Sequence, residues 1–384
     1  MRDLRDLRAA VVGTGFIGVV HVEALRRLGI EVVGVVGSTP DRARAKATEV
    51  PLAEPYESFE AMLGDDRVDV VHVTTPNHLH YPHAKSVLEA GKHVVCEKPL
   101  GLDAAESAEL FRLAEESGLV HCTNFNIRFY PQAQQARALV ADDGLGDVWN
   151  VHGAYLQDWL QLPTDWNWRL EPDKGGELRA VADIGSHWLD LAEFVAGVPV
   201  TEVFADLATM IPVRRRPAGK VETFAAAEAV DRVDVPMATE DLAHVLIRFA
   251  NGARGSVVVS QVSAGRKNSL RLELDGSAGA LAWDSERPEE LWLGHRQRAN
   301  ETLLRDPGLF EPAAAARTSL PAGHAEGFAD TFKELYRAVY GAVASGAMPA
   351  EPEFPSFAAG LRENVISEAV ARSAAEGRWE KVPT

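Results

Sequence analysis

The sequence is poor in cysteine and in long apolar runs, and each shortage excludes a class of protein. Its only cysteines, Cys96 and Cys122, cannot form a disulfide framework and lack the spacing of a metal site, so we expect a reducing compartment and no bound metal. No apolar run is long enough to cross a bilayer, and the first residues lack the apolar core of a signal peptide. These features predict a cytoplasmic protein without a membrane partner.

Positive charge is also in short supply. The chain has 39 Lys and Arg against 56 Asp and Glu, a formal net charge of −17. Such a surface repels a phosphate backbone, which excludes nucleic acid as an expected partner. The one basic run, Arg214-Arg215-Arg216, has no aromatic residues within it and predicts a solvated loop rather than a phosphate site.

The 384 residues exceed the length of one ordinary core and predict two domains. In residues 1–125 apolar strands alternate with helices, which predicts an α/β domain whose parallel sheet is covered on both faces. In residues 126–384 strand-like runs follow one another, and two helical patterns, around 325–344 and 355–375, close the chain. This second part predicts an α+β domain with a mostly antiparallel sheet.

A glycine-rich turn follows the first strand and opens an amphipathic helix, in the order Gly13-Thr14-Gly15-Phe16-Ile17-Gly18. Gly13 permits the tight turn, Gly15 lets the backbone approach a pyrophosphate, and Gly18 allows close helix packing. Backbone N–H groups at the helix start then bind the phosphates. Glycine also occurs in purely structural turns, but this strand–turn–helix context favours a dinucleotide-binding Rossmann domain.

The end of the second strand bears on the choice of cofactor. NAD-selective Rossmann enzymes usually carry a carboxylate there, whereas this chain has Gly37-Ser38-Thr39. Ser38 and Arg42 can bind a 2′-phosphate, and Asp41 can instead begin the next helix. The pattern favours NADP and leaves NAD open.

Lys98 follows the strand that ends near Cys96, at the carboxyl edge of the predicted parallel sheet, where ligands bind in such folds. Its ammonium can orient a substrate hydroxyl and stabilise an alkoxide. A lone lysine is also a common solvated surface residue, so its position alone does not decide between the two.

A second group of candidates is Asp183 and His187. Helical spacing downstream starts a helix near Ser186, which places Asp183 in the loop before it and His187 on its first turn. A carboxylate beside an imidazole can fix its tautomer and support the imidazolium. The alternative is an N-cap aspartate and a core histidine.

Three tryptophans lie within ten residues, among amide and charged side chains, between Trp159 and Trp168. Aromatic faces beside Gln157 and Arg169 suit a polyhydroxylated ring, which has apolar C–H faces and hydrogen-bonding edges. Core packing is the alternative for each tryptophan.

Taken together, these motifs resemble the glucose–fructose oxidoreductase/inositol dehydrogenase/MocA (Gfo/Idh/MocA) family over nearly the whole chain. The resemblance is carried by the glycine-rich turn and by Thr75-Pro76-Asn77-His78-Leu79-His80, Ala90-Gly91-Lys92-His93-Val94-Val95-Cys96-Glu97-Lys98-Pro99, Asp183-Ile184-Gly185-Ser186-His187 and Phe357-Ala358-Ala359-Gly360-Leu361-Arg362.

The resemblance implies catalytic Lys98, Asp183 and His187 beside the nicotinamide, and a Lys98–Pro99 bond that is often cis. It implies an open-faced second sheet that contributes to a homo-oligomer, a dimer or a tetramer. Residues expected to border the cofactor are Thr75, Pro76, Asn77, His80, Glu97, Lys98, Asn126, Trp168 and Arg169. Residues expected to reach the substrate are Lys98, Gln157, Trp159, Asp183, His187 and His324.

The sequence thus predicts reversible hydride transfer between nicotinamide and a secondary alcohol or ketone of a sugar or cyclitol. In the oxidative direction His187 removes the hydroxyl proton, Lys98 orients the oxygen and Asp183 supports His187. One alternative, a reductase of a nucleotide-linked keto-sugar, needs a second phosphate-binding turn, which the sequence does not show. The other, a catalytically inactive NAD(P)-binding regulatory protein, is disfavoured by the three intact catalytic candidates.

Overall fold

The computed structural model describes residues 2–49, 53–218 and 231–383. The chain forms two compact units, the first from Met1–Asn126 and Phe328–Asn364, the second from Ile127–Gly327 and Val365–Thr384. The predicted boundary between residues 125 and 126 lies next to the point where the chain first passes from one unit to the other. Residues 328–364, which the prediction placed in the second domain, belong to the first unit.

The secondary structure changes character along the chain as the sequence pattern predicts. The strands are β1 (Arg8–Val12), β2 (Glu31–Val36), β3 (Val70–Val73), β4 (His93–Cys96), β5 (His121–Thr123), β6 (Val148–Leu156), β7 (Val200–Ala208), β8 (Val213–Pro217), β9 (Arg232–Pro236), β10 (Leu242–Phe249), β11 (Arg254–Ser260), β12 (Ser269–Gly276), β13 (Ala280–Asp284), β14 (Glu290–Gly294), β15 (Glu301–Leu304) and β16 (Glu380–Lys381). The helices are α1 (Phe16–Arg27), α2 (Pro40–Glu49), α3 (Phe59–Leu63), α4 (His80–Glu89), α5 (Ala104–Ser117), α6 (Pro131–Ala141), α7 (Pro172–Gly175), α8 (Ser186–Ala196), α9 (Pro312–Ala315), α10 (Phe328–Ser345) and α11 (Phe357–Glu376).

The first unit contains a parallel sheet in the order β2-β1-β3-β4-β5, which confirms the Rossmann prediction. Its strands are rich in valine and bury both faces, as parallel strands between helices must. Backbone bonds tie the carboxyl ends of the strands together: Thr74 N donates to Val12 O at 2.8 Å, and Glu97 N donates to Val73 O at 2.9 Å. The glycine-rich turn, Thr74 and Glu97 thus lie along one edge of the sheet.

The second unit contains a nine-stranded sheet in the order β15-β14-β13-β12-β6-β11-β10-β7-β16. The described pairs are antiparallel except β6 with β11, which confirms a mostly antiparallel sheet. Side chains alternate between a buried face, which packs on α6 and α8, and a face that stays open within this unit. Among the described residues, no helix combines the length and apolarity that crossing a membrane requires.

The prediction of a solvated loop at Arg214–Arg216 is wrong. These residues lie in β8, which pairs antiparallel with β9. Arg215 and Arg216 are exposed, whereas Arg214 is fully buried and its Nη2 donates to Asp241 Oδ1 at 2.7 Å. The buried carboxylate of Asp241 compensates the charge of Arg214. No local sequence pattern indicates this partner.

Candidate active site

The glycine-rich turn has the shape that a dinucleotide requires. Gly13 has φ +110°, and a Cβ there would lie 2.6 Å from Thr74 O. A Cβ on Gly18 would lie 2.1 Å from Gly13 O, whereas a Cβ on Gly15 would meet no atom within 4 Å. Gly13 and Gly18 therefore maintain the turn, and Gly15 leaves open space before the first N–H groups of α1. A phosphate fits that space.

Ser38 and Arg42, the candidates for a 2′-phosphate, lie together after β2. Arg42 Nη1 donates to Ser38 Oγ at 3.2 Å, and both side chains are exposed. A Cβ at Gly37 would lie 2.9 Å from Ala43 Cβ, because α2 passes close to the strand end. A side chain at position 37 would therefore meet α2.

The loops after β3 and β4 are tied together by His80. Its Nδ1 lies 2.6 Å from Pro99 O and its Nε2 lies 2.7 Å from Thr75 O, so the ring lies between the loop after β3 and the loop that contains the Lys98–Pro99 bond. That bond is cis, as the family resemblance implies. Burial lowers the pKa of His80. Pro76 and the buried Asn77 lie in the same loop after β3.

Glu97 belongs to a buried polar chain that the sequence analysis missed. Its Oε1 accepts from Asn124 Nδ2 at 2.6 Å and lies 3.1 Å from His21 Nε2, and its Oε2 lies 3.2 Å from the N–H of Lys98. Although burial opposes the charge, the hydrogen bond from His21 and the charge of Lys98 hold the pKa of Glu97 below its ordinary value. An ionised Glu97 thus contacts the backbone of the lysine.

Asn126, expected near the cofactor, is almost fully buried in the first unit. Its Nδ2 donates to Thr331 Oγ1, on α10, at 2.7 Å. This contact gives Asn126 a structural role in holding the end of the sheet against α10.

The prediction that Asp183 lies in a loop before α8 is wrong. Asp183 sits in a π-helical turn, Val181–Gly185, which runs directly into α8. The turn forms because Glu240, which is buried, accepts from Arg179 N and Val181 N at 2.9 Å each and so holds its first N–H groups. Burial raises the pKa of Glu240, and these donors oppose the shift. Single π turns occur often at functional sites.

The Asp183 carboxylate is held from two sides. Arg169 Nε donates to Oδ1 at 3.0 Å, and Gln261 Nε2 donates to Oδ2 at 2.8 Å. Arg169 also lies over the Trp168 ring, 4.4 Å from its centroid, and is braced by the Asn167 amide oxygen. Trp168 and Arg169 therefore act as one unit beside Asp183.

His187 lies on the first turn of α8, as predicted, with its ring centroid 6.4 Å from that of Tyr155. Tyr155 OH donates to Asn268 Oδ1 at 2.8 Å, and burial raises its pKa above the ordinary value. His324 is exposed in another loop, and its Nδ1 lies 3.2 Å from Ala322 O.

Gln157 and Trp159 form a second polar chain beside Tyr155. Trp159 Nε1 donates to Gln157 Oε1 at 2.7 Å, and Gln157 Nε2 donates to Asn268 Oδ1 at 2.7 Å. This arrangement presents an indole face together with amide groups, which suits a polyhydroxylated ring. Asn268 accepts hydrogen bonds from both Tyr155 and Gln157 and lies directly before β12. No sequence motif indicates this role.

Two further features of the second unit lie on its open sheet face. A pocket of about 650 Å³ is lined there by Trp283, Trp292, Arg271 and their neighbours. One group of possible metal ligands, His152, Glu273 and Asp275, lies beside it, with His152 Nε2 at 3.5 Å from Asp275 Oδ2. These three side chains are partly exposed and face one another across β6 and β12.

The sequence matches known protein families and individual relatives. Residues 7–125 match the model of an oxidoreductase family with an NAD-binding Rossmann fold, and residues 133–282 match the GFO/IDH/MocA C-terminal domain. Levoglucosan dehydrogenase of Pseudarthrobacter phenanthrenivorans is 29% identical over 99% of both chains.

Solved structures of relatives match the fold of this chain over nearly its full length. A crystal structure of an oxidoreductase domain protein from Kribbella flavida matches with a TM-score of 0.88 and 31% identity, covering 99% of this chain and 100% of that one. A levoglucosan dehydrogenase in complex with NADH and L-sorbose matches with a TM-score of 0.87 and 29% identity, covering 98% of this chain and 99% of that one. These matches have both the Rossmann part and the sheet of the second unit in common with this chain.

Proposed function

Because this chain belongs to the Gfo/Idh/MocA family of NAD-binding oxidoreductases, we propose that it transfers a hydride between nicotinamide and a secondary alcohol or ketone of a sugar or cyclitol. The observation that carries the proposal is the Asp183 carboxylate, held by Arg169 and Gln261 one helical turn before His187. A carboxylate so held is positioned to support a general base.

The residues of the first unit fit a dinucleotide. The open space at Gly15 admits a pyrophosphate to the start of α1, since a side chain there would fill it. The bound cofactor supplies the redox chemistry, and the protein supplies position and electrostatics. We assign Gly13, Gly15, Gly18 and the loop after β3 to cofactor binding.

Three side chains carry the proton chemistry in this proposal. His187 takes the proton of the substrate hydroxyl during oxidation and returns it during reduction. Asp183 orients His187 and stabilises its charged form, and Lys98 holds the reacting oxygen as negative charge develops. These roles are assigned from the family's motif positions.

We further propose that NADPH is preferred over NADH. Ser38 and Arg42 lie 3.2 Å apart after β2 and present a hydroxyl and a guanidinium to solvent, the donors that a 2′-phosphate needs. The levoglucosan dehydrogenase relative was solved with NADH, so both cofactors belong in the assay.

The substrate class comes from the same relatives and from the Gln157–Trp159–Asn268 chain. Levoglucosan dehydrogenase has been solved with levoglucosan and with L-sorbose, which makes a sugar or anhydrosugar the first substrate to test. The polar chain supplies amide groups for ring hydroxyls and an indole for the apolar ring face.

We also propose a cytoplasmic homo-oligomer, a dimer or a tetramer. Cys96 and Cys122 are both buried and neither forms a disulfide, which supports a reducing compartment. Leu246 lies on the open face of the nine-stranded sheet and is half exposed, which makes it a position at which the proposed pairing can be tested. Light scattering of the wild type and of Leu246→Asp tests this part, with dissociation of the variant as the expected outcome.

The central test is a spectrophotometric screen at the nicotinamide absorbance, with NADP and NAD in parallel. The panel contains levoglucosan, L-sorbose, common aldoses, inositols and their keto forms. We expect turnover of at least one sugar or cyclitol. Tight cofactor binding without turnover anywhere in the panel would overturn the proposed function.

A further inference from the structure

We infer that Gln261 is a positioning residue for Asp183, and that the buried pair of Arg179 and Asp241 fixes which way its amide faces. The inference rests on the proposed function, in which Asp183 supports His187. Gln261 directly follows β11 and is fully buried, 78 residues away from Asp183 in sequence. No sequence motif marks it.

The orientation of the Gln261 amide follows from its two neighbours. Arg179 Nη1 lies 3.2 Å from the amide oxygen, and a guanidinium can only donate. Asp183 Oδ2 lies 2.8 Å from the amide nitrogen, and an ionised carboxylate can only accept. Both neighbours require the same orientation, since a flipped amide would bring donor to donor and acceptor to acceptor.

Arg179 is itself held rigidly. Its side chain is fully buried and forms an ion pair with Asp241, which also accepts from Arg214 Nη2 at 2.7 Å and from Ile211 N at 2.8 Å. The backbone reinforces this arrangement, because Gln261 N donates to Asp241 O at 3.0 Å. The amide of Gln261 therefore projects from a fixed base rather than from a mobile side chain.

The two donors to Asp183 differ in what they supply. Arg169 supplies a positive charge and is about one-quarter exposed. Gln261 is fully buried and donates a hydrogen bond of fixed direction from a neutral amide. The neutral amide fixes the second oxygen of Asp183 without adding a further cation. The full electrostatic attraction between Asp183 and a protonated His187 is then kept, whereas a second buried cation beside Asp183 would weaken it.

Replacement of Gln261 by glutamate tests this directly. The variant Gln261→Glu keeps the shape and the oxygen that faces Arg179, but its second oxygen faces the Asp183 carboxylate. Two carboxylates at this distance share one proton, and the pair then releases it at a raised pKa. Other charged or titratable groups around the pair include Arg169, Arg179, Asp241, Tyr155 and His187.

The protonated pair reproduces the wild-type hydrogen bond, because the shared proton lies where the amide N–H was. We therefore expect the kcat of Gln261→Glu, divided by that of wild type at the same pH, to be highest at low pH and to fall as pH rises through the pKa of the pair. Gln261→Met removes the donor at every pH, and we expect kcat to fall about 10- to 100-fold without a new pH limb, as for a misplaced catalytic group. Cofactor affinity should stay within about twofold of wild type for both.

Gln297→Glu is the matched control, since it makes the same chemical change at an exposed position of the second unit. We expect it to retain the wild-type pH profile. Parallel pH profiles for wild type and Gln261→Glu, with Gln261→Met at wild-type kcat, would overturn the inference.

A second readout separates this inference from the proposed function. A carboxyl pair with a raised pKa in the folded state stabilises the fold below that pKa and loses this stability as pH rises. The melting temperature of Gln261→Glu, relative to wild type and Gln297→Glu, should therefore fall between about pH 5.5 and pH 8 without any substrate. A constant difference contradicts the inference. Failure of the wild type in the substrate screen instead contradicts the proposed function.

Discussion

The Nδ1 atoms of His21 and His72 lie 3.0 Å apart inside the first unit, so one ring must donate and the other accept. At one end, Glu97 is a carboxylate and can only accept, so His21 Nε2 donates to it. At the other end, His72 Nε2 lies 3.0 Å from the hydroxyl of Tyr340, which can donate or accept. A continuous buried chain of hydrogen bonds therefore runs from Tyr340 to Glu97.

The first prediction concerns the end of this chain. Tyr340→Phe keeps the ring but removes the hydroxyl, which leaves His72 Nε2 buried without this hydrogen-bond partner. Such a loss costs about 1–3 kcal/mol of the free energy of unfolding. Urea denaturation at neutral pH measures it. Tyr81→Phe is the control, because its hydroxyl contacts Glu109 in a partly solvated position. Equal stability of both variants would show that the chain contributes nothing.

The second prediction concerns pH. Burial lowers the pKa of His72 and of His80, and burial with neighbouring histidines lowers that of His83 to about 4. Below about pH 6.5, the ordinary histidine value, the unfolded chain binds protons that the folded chain rejects. The free energy of unfolding should therefore fall with decreasing pH, by about 1.4 kcal/mol per pH unit for each proton taken up.

Urea denaturation at several pH values between about 7.5 and 5 checks this dependence. His83→Gln should lessen the decline, since it removes one group whose pKa is lowered. His324→Gln should leave the decline unchanged, because this side chain is exposed. A free energy of unfolding that is flat or rises toward low pH would contradict the prediction.

Features that depend on neighbouring residues could be predicted from the sequence. The glycine-rich turn, the helix that starts at Ser186 and the cis bond at Pro99 all belong to continuous motifs or periodic patterns. Features that depend on distant partners could not. Arg214 is buried only because Asp241, 27 residues further on, compensates its charge.

The same reason explains which site residues were missed. His72 and Tyr340 are 268 residues apart, and each alone reads as an ordinary core side chain. Gln261 and Asn268 follow or precede strands and gain their importance from the carboxylate and the amides that they contact. Hydrogen-bond polarity, which identifies their roles, exists only once the partners are in place.

The third prediction concerns the cofactor. Arg42→Ala removes the guanidinium beside Ser38, so the KM for NADPH should rise about 10- to 100-fold, the value of one or two charge-assisted hydrogen bonds. The KM for NADH should change little, because NADH has no 2′-phosphate. Arg44→Ala is the control on the same helix, where the guanidinium pairs with Asp41 and Glu57. An equal change for both cofactors would contradict the assignment.

The fourth prediction concerns chemistry. Lys98→Ala and His187→Ala should each lower kcat by at least about 100-fold, as loss of a proton-transfer or oxyanion-stabilising group does. Cofactor affinity, measured by nicotinamide fluorescence, should remain largely intact. Lys85→Ala is the control in the first unit, since that lysine pairs with Glu109 on the surface. Retained turnover in both variants would refute the assigned roles.

The fifth prediction separates cofactor binding from folding within a single turn. Gly15 has φ −72°, which alanine adopts without strain, and its Cβ would meet no atom within 4 Å. Gly15→Ala should therefore leave the free energy of unfolding of the apoprotein within about 0.5 kcal/mol of wild type, as for a substitution without a steric conflict. The added methyl occupies the space of the pyrophosphate, so affinity for both NADPH and NADH should fall at least about tenfold.

Gly18→Ala is the opposite case. Its Cβ would lie 2.1 Å from Gly13 O, so α1 must move away from the turn. Overpacking of this kind costs about 1–3 kcal/mol, and the backbone contact allows little relief. The variant should be destabilised before any cofactor is added, which thermal unfolding of the apoprotein measures. If Gly15→Ala proved as destabilising as Gly18→Ala, the open space at Gly15 would be structural, and the glycine-rich turn could no longer be assigned to the phosphates.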